Sequence, residues 1–374
     1  MAVRLTTPVT ILTGFLGSGK TTMINRLLRD PDGLRIAVIE NEFGEIGVDA
    51  EFLSQTGEET IIQLANGCLC CTVRGDLARA LHDIARQASD LNAPFDRVLI
   101  ETTGLADPGP VIQTFLAETA VQSLFHLDAV VAVVDALNAE TERDRPEFQA
   151  QLGYADRIVV TKSDLTSDEK LDALEQLLGS LNPRAPIIKC DLREVSVQFL
   201  ISHIFDAGGF AIDHVRLDEI RRAENSAALA SERRLRVRPA ALAAHSRGVR
   251  SCVFTSDSPL DLDRLNQALD VLVGEYGSRL WRCKGVVQSV DQRCRLIVQG
   301  VQGVIQINGG TIWRRYEPRR TVLIFIGDKI DPTFVDQTLQ ACVTDRSSPK
   351  APDFEQGPGT AVGARSNAVR GTGG

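Results

Sequence analysis

The segment VTILTGFLGSGKTT, residues 9–22, decides the fold of this chain. From Gly14 to Thr21 it matches the pattern G-x-x-x-x-G-K-[ST], between a β-branched apolar run and a helical stretch. Glycines in such a loop let backbone N–H groups turn toward phosphate oxygens, and the N-terminus of the following helix adds a positive dipole. The segment therefore predicts a strand, a phosphate-binding loop and a helix.

Across residues 1–215, short apolar runs alternate with helical patterns. The runs predicted as buried strands are Val9–Thr13, Arg35–Ile39, Arg97–Ile100, Ala129–Val134 and Arg157–Thr161. The predicted helices are Thr21–Arg29, Gly75–Ala88, Pro110–Thr119 and Asp168–Leu181. This alternation is typical of an α/β domain, in which helices cover both faces of a mostly parallel sheet.

The pattern changes after residue 215. Residues 216–248 are rich in Arg, Glu and Ala and are interpreted as a charged linker, and residues 344–374 as a disordered tail. Between them, residues 249–343 predict a smaller α+β domain with antiparallel strands. Its predicted strands are Val249–Thr255, Leu280–Val290, Arg295–Val301, Val304–Asn308 and Val322–Ile326, and its predicted helices are Leu260–Tyr276 and Pro332–Cys342.

Charge and composition exclude several classes of function. The net charge is -8 and the pI is about 5.3, so no basic field attracts nucleic acid. No apolar run approaches the roughly 18 residues of a membrane span, and the N-terminus lacks the order of a signal peptide. We therefore expect a cytoplasmic protein that binds neither nucleic acid nor membrane. Five scattered cysteines are interpreted as small core residues, namely Cys190, Cys252, Cys283, Cys294 and Cys342.

The phosphate loop and a later segment predict guanine nucleotide binding. Lys20 should reach the β- and γ-phosphates, and the Thr21 hydroxyl should ligate Mg²⁺. The segment Thr161-Lys162-Ser163-Asp164 resembles the N-K-x-D guanine signature, in which the carboxylate accepts hydrogen bonds from the base. A strand-ending turn is the alternative for that segment. The predicted nucleotide-binding residues are Gly14, Gly17, Ser18, Gly19, Lys20, Thr21, Thr22, Gly104, Thr161, Lys162 and Asp164.

Glu101 is the predicted catalytic carboxylate, together with Lys20 and Thr21. It follows a buried strand, where it can hold Mg²⁺ through water or orient the attacking water. Gly104, three residues on, frees a backbone N–H to approach the γ-phosphate. Asp135 also ends a strand, and is equally compatible with a helix cap or a turn.

Three cysteines, Cys68, Cys70 and Cys71, follow the strand-like run Ile61–Leu64. Three thiolates at this spacing suit a soft or borderline cation, Zn²⁺ first, then Cu⁺, Co²⁺ or Ni²⁺. A vicinal disulfide between Cys70 and Cys71, or buried structural thiols, are the alternatives. Oxygen ligands could come from the acids that follow the second strand, where P-loop GTPases carry a nucleotide-sensing switch. The alternative is that these acids form a solvated loop. They are Glu40, Glu42 and Glu45.

Together these residues resemble the YjiA-like branch of the CobW family of P-loop GTPases. The resemblance rests on the motifs GFLGSGKTT, ENEFGE, GCLCC, ETTGLADPGP, YADRIVVTKSD, RCKGVV and RLIVQGVQ. It implies slow GTP hydrolysis coupled to metal binding and delivery. It also implies that Glu40, Glu45 and Cys70 are metal ligands, with Cys68 and Cys71 added in the wider family. Many members carry a histidine-rich run before the C-terminal domain, where this chain has only His245.

The resulting hypothesis is a GTP-hydrolysing metallochaperone. Its cofactor is Mg²⁺, its nucleotide is GTP, and its cargo is Zn²⁺, with Co²⁺ or another divalent transition metal as alternatives. Its expected partner is a client metalloprotein, and homo-oligomer formation is left open. Two other functions remain. A non-catalytic GTP sensor would carry a structural zinc site, and a P-loop small-molecule kinase would prefer ATP, against which Asp164 argues.

Overall fold

A computed structural model describes most of the chain, and it contains two β-sheets. The described residues are 6–40, 60–63, 73–90, 92–205, 248–313, 317 and 319–344. The predicted charged linker and tail lie almost entirely outside them. In the described part of the chain, none of the helices has the length and apolar character that crossing a bilayer requires.

The first sheet contains seven parallel strands within the described residues. In chain order they are β1 (Thr7–Thr13), β2 (Ile36–Glu40), β3 (Thr60–Gln63), β4 (Arg97–Glu101), β5 (Phe125–Asp135), β6 (Arg157–Thr161) and β7 (Ile187–Cys190). Their order across the sheet is β3-β2-β4-β1-β5-β6-β7, so β1 is the central strand. Each of the predicted strands is present. The edge strand β7 was not predicted, because only its last residue is fully buried and it lacks a continuous buried apolar run.

Helices pack on both faces of this sheet. They are α1 (Lys20–Arg29), α2 (Val73–Asp90), α3 (Gly109–Ala117), α4 (Thr119–Gln122), α5 (Ala139–Glu142), α6 (Pro146–Tyr154), α7 (Asp168–Leu181) and α8 (Val197–Ile204). Helix α1 turns Met23, Ile24, Leu27 and Leu28 into the core, as expected for an amphipathic helix. The predicted α/β class is confirmed.

The second sheet is antiparallel and has the order β11-β10-β9-β12-β8. Its strands are β8 (Val249–Ser256), β9 (Leu280–Val287), β10 (Cys294–Val301), β11 (Val304–Ile312) and β12 (Thr321–Asp328), and its helices are α9 (Leu262–Tyr276) and α10 (Pro332–Gln340). Four of the five scattered cysteines are buried, and the fifth, Cys294, is half-buried. The antiparallel sheet and its two helices confirm the predicted smaller α+β domain.

Several predicted boundaries in this domain were wrong, and strand β11 ends at Ile312 rather than at Asn308. Strand β9 ends at Val287 rather than Val290, because the carbonyl of Gln288 and the N–H of Val290 bond to the backbone of Leu260. Helix α9 starts at Leu262, where the Asp261 carboxylate caps the helix by accepting from the N–H of Arg264. Helix α10 ends at Gln340, before a turn that contains Cys342.

The two sheets share a hydrophobic core. Helix α6 lies between them, and its Phe148 and Leu152 pack in one buried cluster with Val322, Ile324 and Ile326 of β12. Gly153 of α6 packs closely on the second sheet, because a Cβ there would lie 2.6 Å from the Trp281 ring of β9. The opposite face of the second sheet is covered by α9 and α10.

A buried carboxylate also ties the two sheets together. Asp156 Oδ1 accepts hydrogen bonds from Arg184 Nη2 at 3.0 Å and from Arg282 Nη2 of β9 at 2.8 Å. Its Oδ2 accepts from the N–H of Val130 at 3.0 Å. Burial opposes the charge of Asp156, but the nearby cations Arg282, Arg184 and Lys284 hold its pKa below the usual range. Asp156 is therefore the counterion of cations from both parts of the molecule.

We expect Asp156→Asn to lower the free energy of unfolding by about 3–5 kcal/mol, because it leaves buried guanidinium groups without their counter-charge. The matched control is Glu175→Gln, which removes an exposed ion pair with Lys189 and should lower the free energy of unfolding far less. Denaturant unfolding measures both. Equal stability of the two variants would contradict the counterion role.

Candidate nucleotide-binding site

The phosphate loop connects β1 to α1, and its three glycines have left-handed backbone torsions. The φ angles are +144° at Gly14, +73° at Gly17 and +100° at Gly19. Gly14 is also confined by space, because a Cβ there would lie 2.2 Å from the carbonyl oxygen of Val133 in β5. Glycine is therefore required at Gly14 both by conformation and by packing.

Three side chains hold the carbonyl groups of this loop. Lys20 Nζ donates to Gly14 O at 2.7 Å and to Phe15 O at 3.2 Å. Lys162 Nζ donates to Gly17 O at 3.0 Å, and Thr161 Oγ1 donates to Ser18 O at 2.7 Å. Within one peptide unit the C=O and N–H bonds point in opposite directions. Fixing these carbonyl oxygens therefore leaves the loop N–H groups directed to the other side, where phosphate would bind.

Lys20 is buried, with 6% of its surface exposed, and burial lowers the pKa of its ammonium group. The carboxylates of Glu101 and Glu142 oppose that shift. A buried ammonium group whose hydrogen bonds go to neutral carbonyls is suited to an anionic ligand, because phosphate would form a charge-assisted hydrogen bond with it.

Glu101 and Thr21 form an oxygen pair beside the loop. Glu101 is the last residue of β4, and its Oε1 accepts from Thr21 Oγ1 at 3.1 Å. A carboxylate and a hydroxyl at the start of α1 are oxygen ligands of the type Mg²⁺ prefers. The predicted pairing of these residues with a magnesium ion therefore fits the donor set that the structure places together.

Gly104 lies directly against the phosphate loop. A Cβ at this position would meet the backbone N of Leu16 at 2.5 Å and its Cα at 2.8 Å. Its carbonyl accepts from Gln151 Nε2 at 3.1 Å. The sequence predicted that the Gly104 N–H approaches phosphate. The structure shows in addition that the α-carbon packs on the loop itself.

The predicted base-reading residues lie at the end of β6. Asp164 is in a short 3₁₀ turn (Ser163–Leu165), and Lys162, at φ +56°, pairs with Asp135 Oδ2 at 2.6 Å. Asp135 also accepts from the N–H of Leu137, so it is a turn residue as well as an ion-pair partner. The remaining predicted residue, Thr22, is exposed on α1.

Arg193 was missed by the sequence reasoning. Its Nη2 pairs with Asp164 Oδ2, and it also bonds Asp191 at 3.2 Å. It follows β7, the strand that was not predicted, so nothing placed it near the base site. A carboxylate accepts about four hydrogen bonds, so Asp164 has capacity for a guanine base as well as for Arg193.

The metal-site prediction is only partly within the described residues. Cys68, Cys70, Cys71, Glu42 and Glu45 lie outside them. The structure places Glu40 at the end of β2, buried to 5% exposure. Its Cα is in register with Gln63 of β3 on one side and with Glu101 of β4 on the other. Among the described residues, no three His, Cys, Asp or Glu side chains are grouped as metal ligands.

Comparisons with known proteins agree with this architecture. Residues 8–189 match the model of the CobW/HypB/UreG nucleotide-binding domain, and residues 249–343 match the cobalamin synthesis protein cobW C-terminal domain. The chain is 34% identical over 320 residues to the zinc chaperone YjiA of Escherichia coli (strain K12), covering 85% of this chain and 93% of that protein.

Two further similarities extend over nearly the whole chain. The zinc chaperone CobW of Pseudomonas aeruginosa is 30% identical over 373 residues, covering 90% of this chain and 91% of that protein. The crystal structure of Zn(II)-bound YjiA GTPase from E. coli aligns with a TM-score of 0.70 at 28% identity, covering 91% of this chain and 100% of that one.

We expect Gly104→Ala to weaken GTP and GDP binding about tenfold or more, because the added methyl group would displace the Leu16 backbone and thus the phosphate loop. Gly179→Ala in α7 is the matched control, since a Cβ there meets no atom within 4 Å. It should leave nucleotide affinity unchanged. Calorimetric titration tests both variants, and wild-type affinity in Gly104→Ala would contradict the close-packing argument.

Proposed function

The chain belongs to the CobW/HypB/UreG family, and on that premise we propose that it is a GTPase that binds zinc and delivers it to a client metalloprotein. One observation supports the coupling of GTP hydrolysis to zinc binding. Gln63, Glu40 and Glu101 are in register at the ends of three neighbouring strands. Strand β3, which the three cysteines follow in the sequence, therefore ends beside the strands of the proposed metal and magnesium ligands.

The phosphate loop and the end of β6 account for binding of GTP. Lys20 uses two of its three ammonium donors on the loop carbonyls, so the third would donate to a phosphate oxygen, and the loop N–H groups would donate to the others. Asp164 would accept from the guanine N1–H and N2–H₂ groups, while adenine presents no matching donors on that edge. The aliphatic stem of Lys162 is available to pack along the base.

Hydrolysis requires water to form a bond to the γ-phosphorus while the bond to the bridging β-γ oxygen breaks, giving GDP and inorganic phosphate. Thr21 and Glu101 would hold Mg²⁺, which when bound neutralises charge on the β- and γ-phosphates. Lys20 would stabilise the charge that develops on the leaving oxygen. Gly104 keeps the segment after Glu101 packed against the loop, so Glu101 stays positioned.

The metal side of the proposal rests on Glu40 and the segment after β3. Glu40, Glu45 and the three cysteines would supply a mixed carboxylate and thiolate set, which suits Zn²⁺. Glu40 lies on a strand hydrogen-bonded to the strand of Glu101. Binding of Mg²⁺ at Glu101 would thus change the arrangement of the metal ligands around Glu40, and binding of metal there would change the magnesium site. Metal affinity would then differ between the nucleotide states, as a nucleotide-controlled carrier requires.

The base-reading role predicts a change in nucleotide preference. Asp164→Asn should lower GTP affinity by about 10- to 100-fold, because an amide cannot accept both guanine donors, and it should favour xanthosine nucleotides instead. Asp168→Asn, which alters an exposed acid at the start of α7, should leave affinity unchanged. Displacement titrations provide the measurement. Equal competition by ATP and GTP for the wild-type protein would overturn the guanine assignment.

Metal affinity should depend on the nucleotide. Co²⁺ reports thiolate ligation through its charge-transfer absorption, and we expect it to bind about 5- to 150-fold more tightly with a non-hydrolysable GTP analogue and Mg²⁺ than with GDP. Cys70→Ser and Glu40→Gln should each weaken that binding, because they remove proposed ligands. Each titration with Co²⁺ is followed by this absorption.

Cys294→Ser is the control for this experiment, because it removes a half-buried thiol of the second sheet and should leave the Co²⁺ spectrum unchanged. Identical Co²⁺ affinity with both nucleotides would rule out the carrier and leave a GTPase with a structural metal site.

A further inference from the structure

The second sheet contacts the nucleotide-binding domain through a side chain in its β10–β11 turn. Gln302 has a φ of +47°, a left-handed conformation that few residues other than glycine adopt. Its Nε2 donates to Asp107 Oδ2 at 2.8 Å, and its backbone oxygen accepts from Gln113 Nε2 of α3 at 3.3 Å. Gln302 is therefore bonded on both its side chain and its backbone across the domain contact.

Asp107 connects this contact to the start of α3. Its Oδ1 accepts from the N–H of Gly109 at 2.8 Å, so each carboxylate oxygen has its own donor. A Cβ at Gly109 would lie 2.3 Å from Gln302 Nε2, so only glycine leaves room for the glutamine. Burial raises the pKa of Asp107, while the bonds from Gly109 and Gln302 oppose that shift.

Beyond Thr102, which bonds to β1 through its N–H and its hydroxyl, the segment from Glu101 to Gly109 is held at three places. Gly104 packs on Leu16 of the phosphate loop. Gln151 Nε2 of α6 donates to the carbonyls of Gly104 and Ala106, both at 3.1 Å. Gln302 holds Asp107 at the far end. Two of these anchors belong to the nucleotide-binding domain, and the third comes from the second sheet.

We propose that Gln302 is a positioning residue for GTP hydrolysis, through which the C-terminal domain sets the turnover rate of the nucleotide-binding domain. The inference rests on the proposed GTPase function. Gln302 fixes Asp107, Asp107 fixes the start of α3, and the segment between them and Glu101 is kept against the phosphate loop. A small displacement of catalytic groups costs up to about 100-fold in rate, so loss of one anchor should be measurable.

The chain offers a matched control on the same hairpin. Gln306 of β11 also crosses the domain contact, where its Nε2 donates to the carbonyl of Leu116 near the end of α3 at 2.9 Å. It has the same side chain and a similar bond, but does not touch the 101–109 segment. Gln302→Ala should lower kcat for GTP about tenfold with GDP affinity within about twofold of wild type. Gln306→Ala should leave kcat unchanged.

Variants of Asp107 test whether the two residues act together. Asp107→Ala should lower kcat at least as much as Gln302→Ala does, because it also removes the bond to Gly109, and the double variant should lose no more than Asp107→Ala alone. Asp107→Asn should recover most of the lost turnover, because its amide oxygen accepts from Gly109 and its amino group donates to a turned Gln302 amide. Thermal unfolding of every variant separates loss of folding from loss of rate.

The outcomes that overturn this inference differ from the one that overturns the proposed function. Full activity of Gln302→Ala, or additive losses in the double variant, overturns the inference while wild-type hydrolysis leaves the proposed function intact. Absence of GTP hydrolysis by the wild-type protein overturns the proposed function, and the inference with it. If Gln302→Ala unfolds at the assay temperature, Asp107→Ala and Asp107→Asn carry the test, and equal turnover of those two variants overturns the inference.

Discussion

Anchoring of the phosphate-loop carbonyls by Lys20, Thr161 and Lys162 is the constraint on which the rest of the site depends. Four carbonyl groups accept hydrogen bonds from these three side chains, at distances between 2.7 and 3.2 Å. Two of the donors are ammonium groups, and that of Lys162 is also paired with Asp135. The anchors come from the end of β6 as well as from α1, so the cradle exists only because the parallel sheet places those strand ends together.

The same sheet edge brings the other chemistry to the loop. Parallel strands end on one side, and β3, β2, β4 and β1 are neighbours in that order. Glu101 therefore ends the strand next to the phosphate loop, and Glu40 ends the strand beyond it. Neighbouring strands lie about 4.8 Å apart, so a cation held at one of these strand ends would act on the acid at the next. In the proposed function, this strand order would let the bound nucleotide control the metal site.

Local patterns predicted much of this architecture from the sequence. Helix α7 spans Asp168–Leu181 as predicted, and the phosphate loop, Glu101 and Thr161 are where the motifs placed them. Contacts between distant segments leave no local pattern in the sequence, so they were not predicted. The pairs of Arg193 with Asp164 and Gln302 with Asp107 join residues far apart in the chain, and a single polar side chain in a turn carries no periodic signal. The second role of Gly104 was hidden for the same reason, because only the fold brings it to Leu16.

The central claim, that metal and guanine nucleotide are linked through adjacent strand ends, is tested most directly from the nucleotide side. The measurement is the dissociation constant of a non-hydrolysable GTP analogue with Mg²⁺, and of GDP, each with and without saturating Zn²⁺. Linkage requires Zn²⁺ to tighten analogue binding by the same factor by which the analogue tightens metal binding, about 5- to 150-fold, with GDP affinity changed much less. Equal effects of Zn²⁺ on both nucleotides, or no effect on either, would contradict the account.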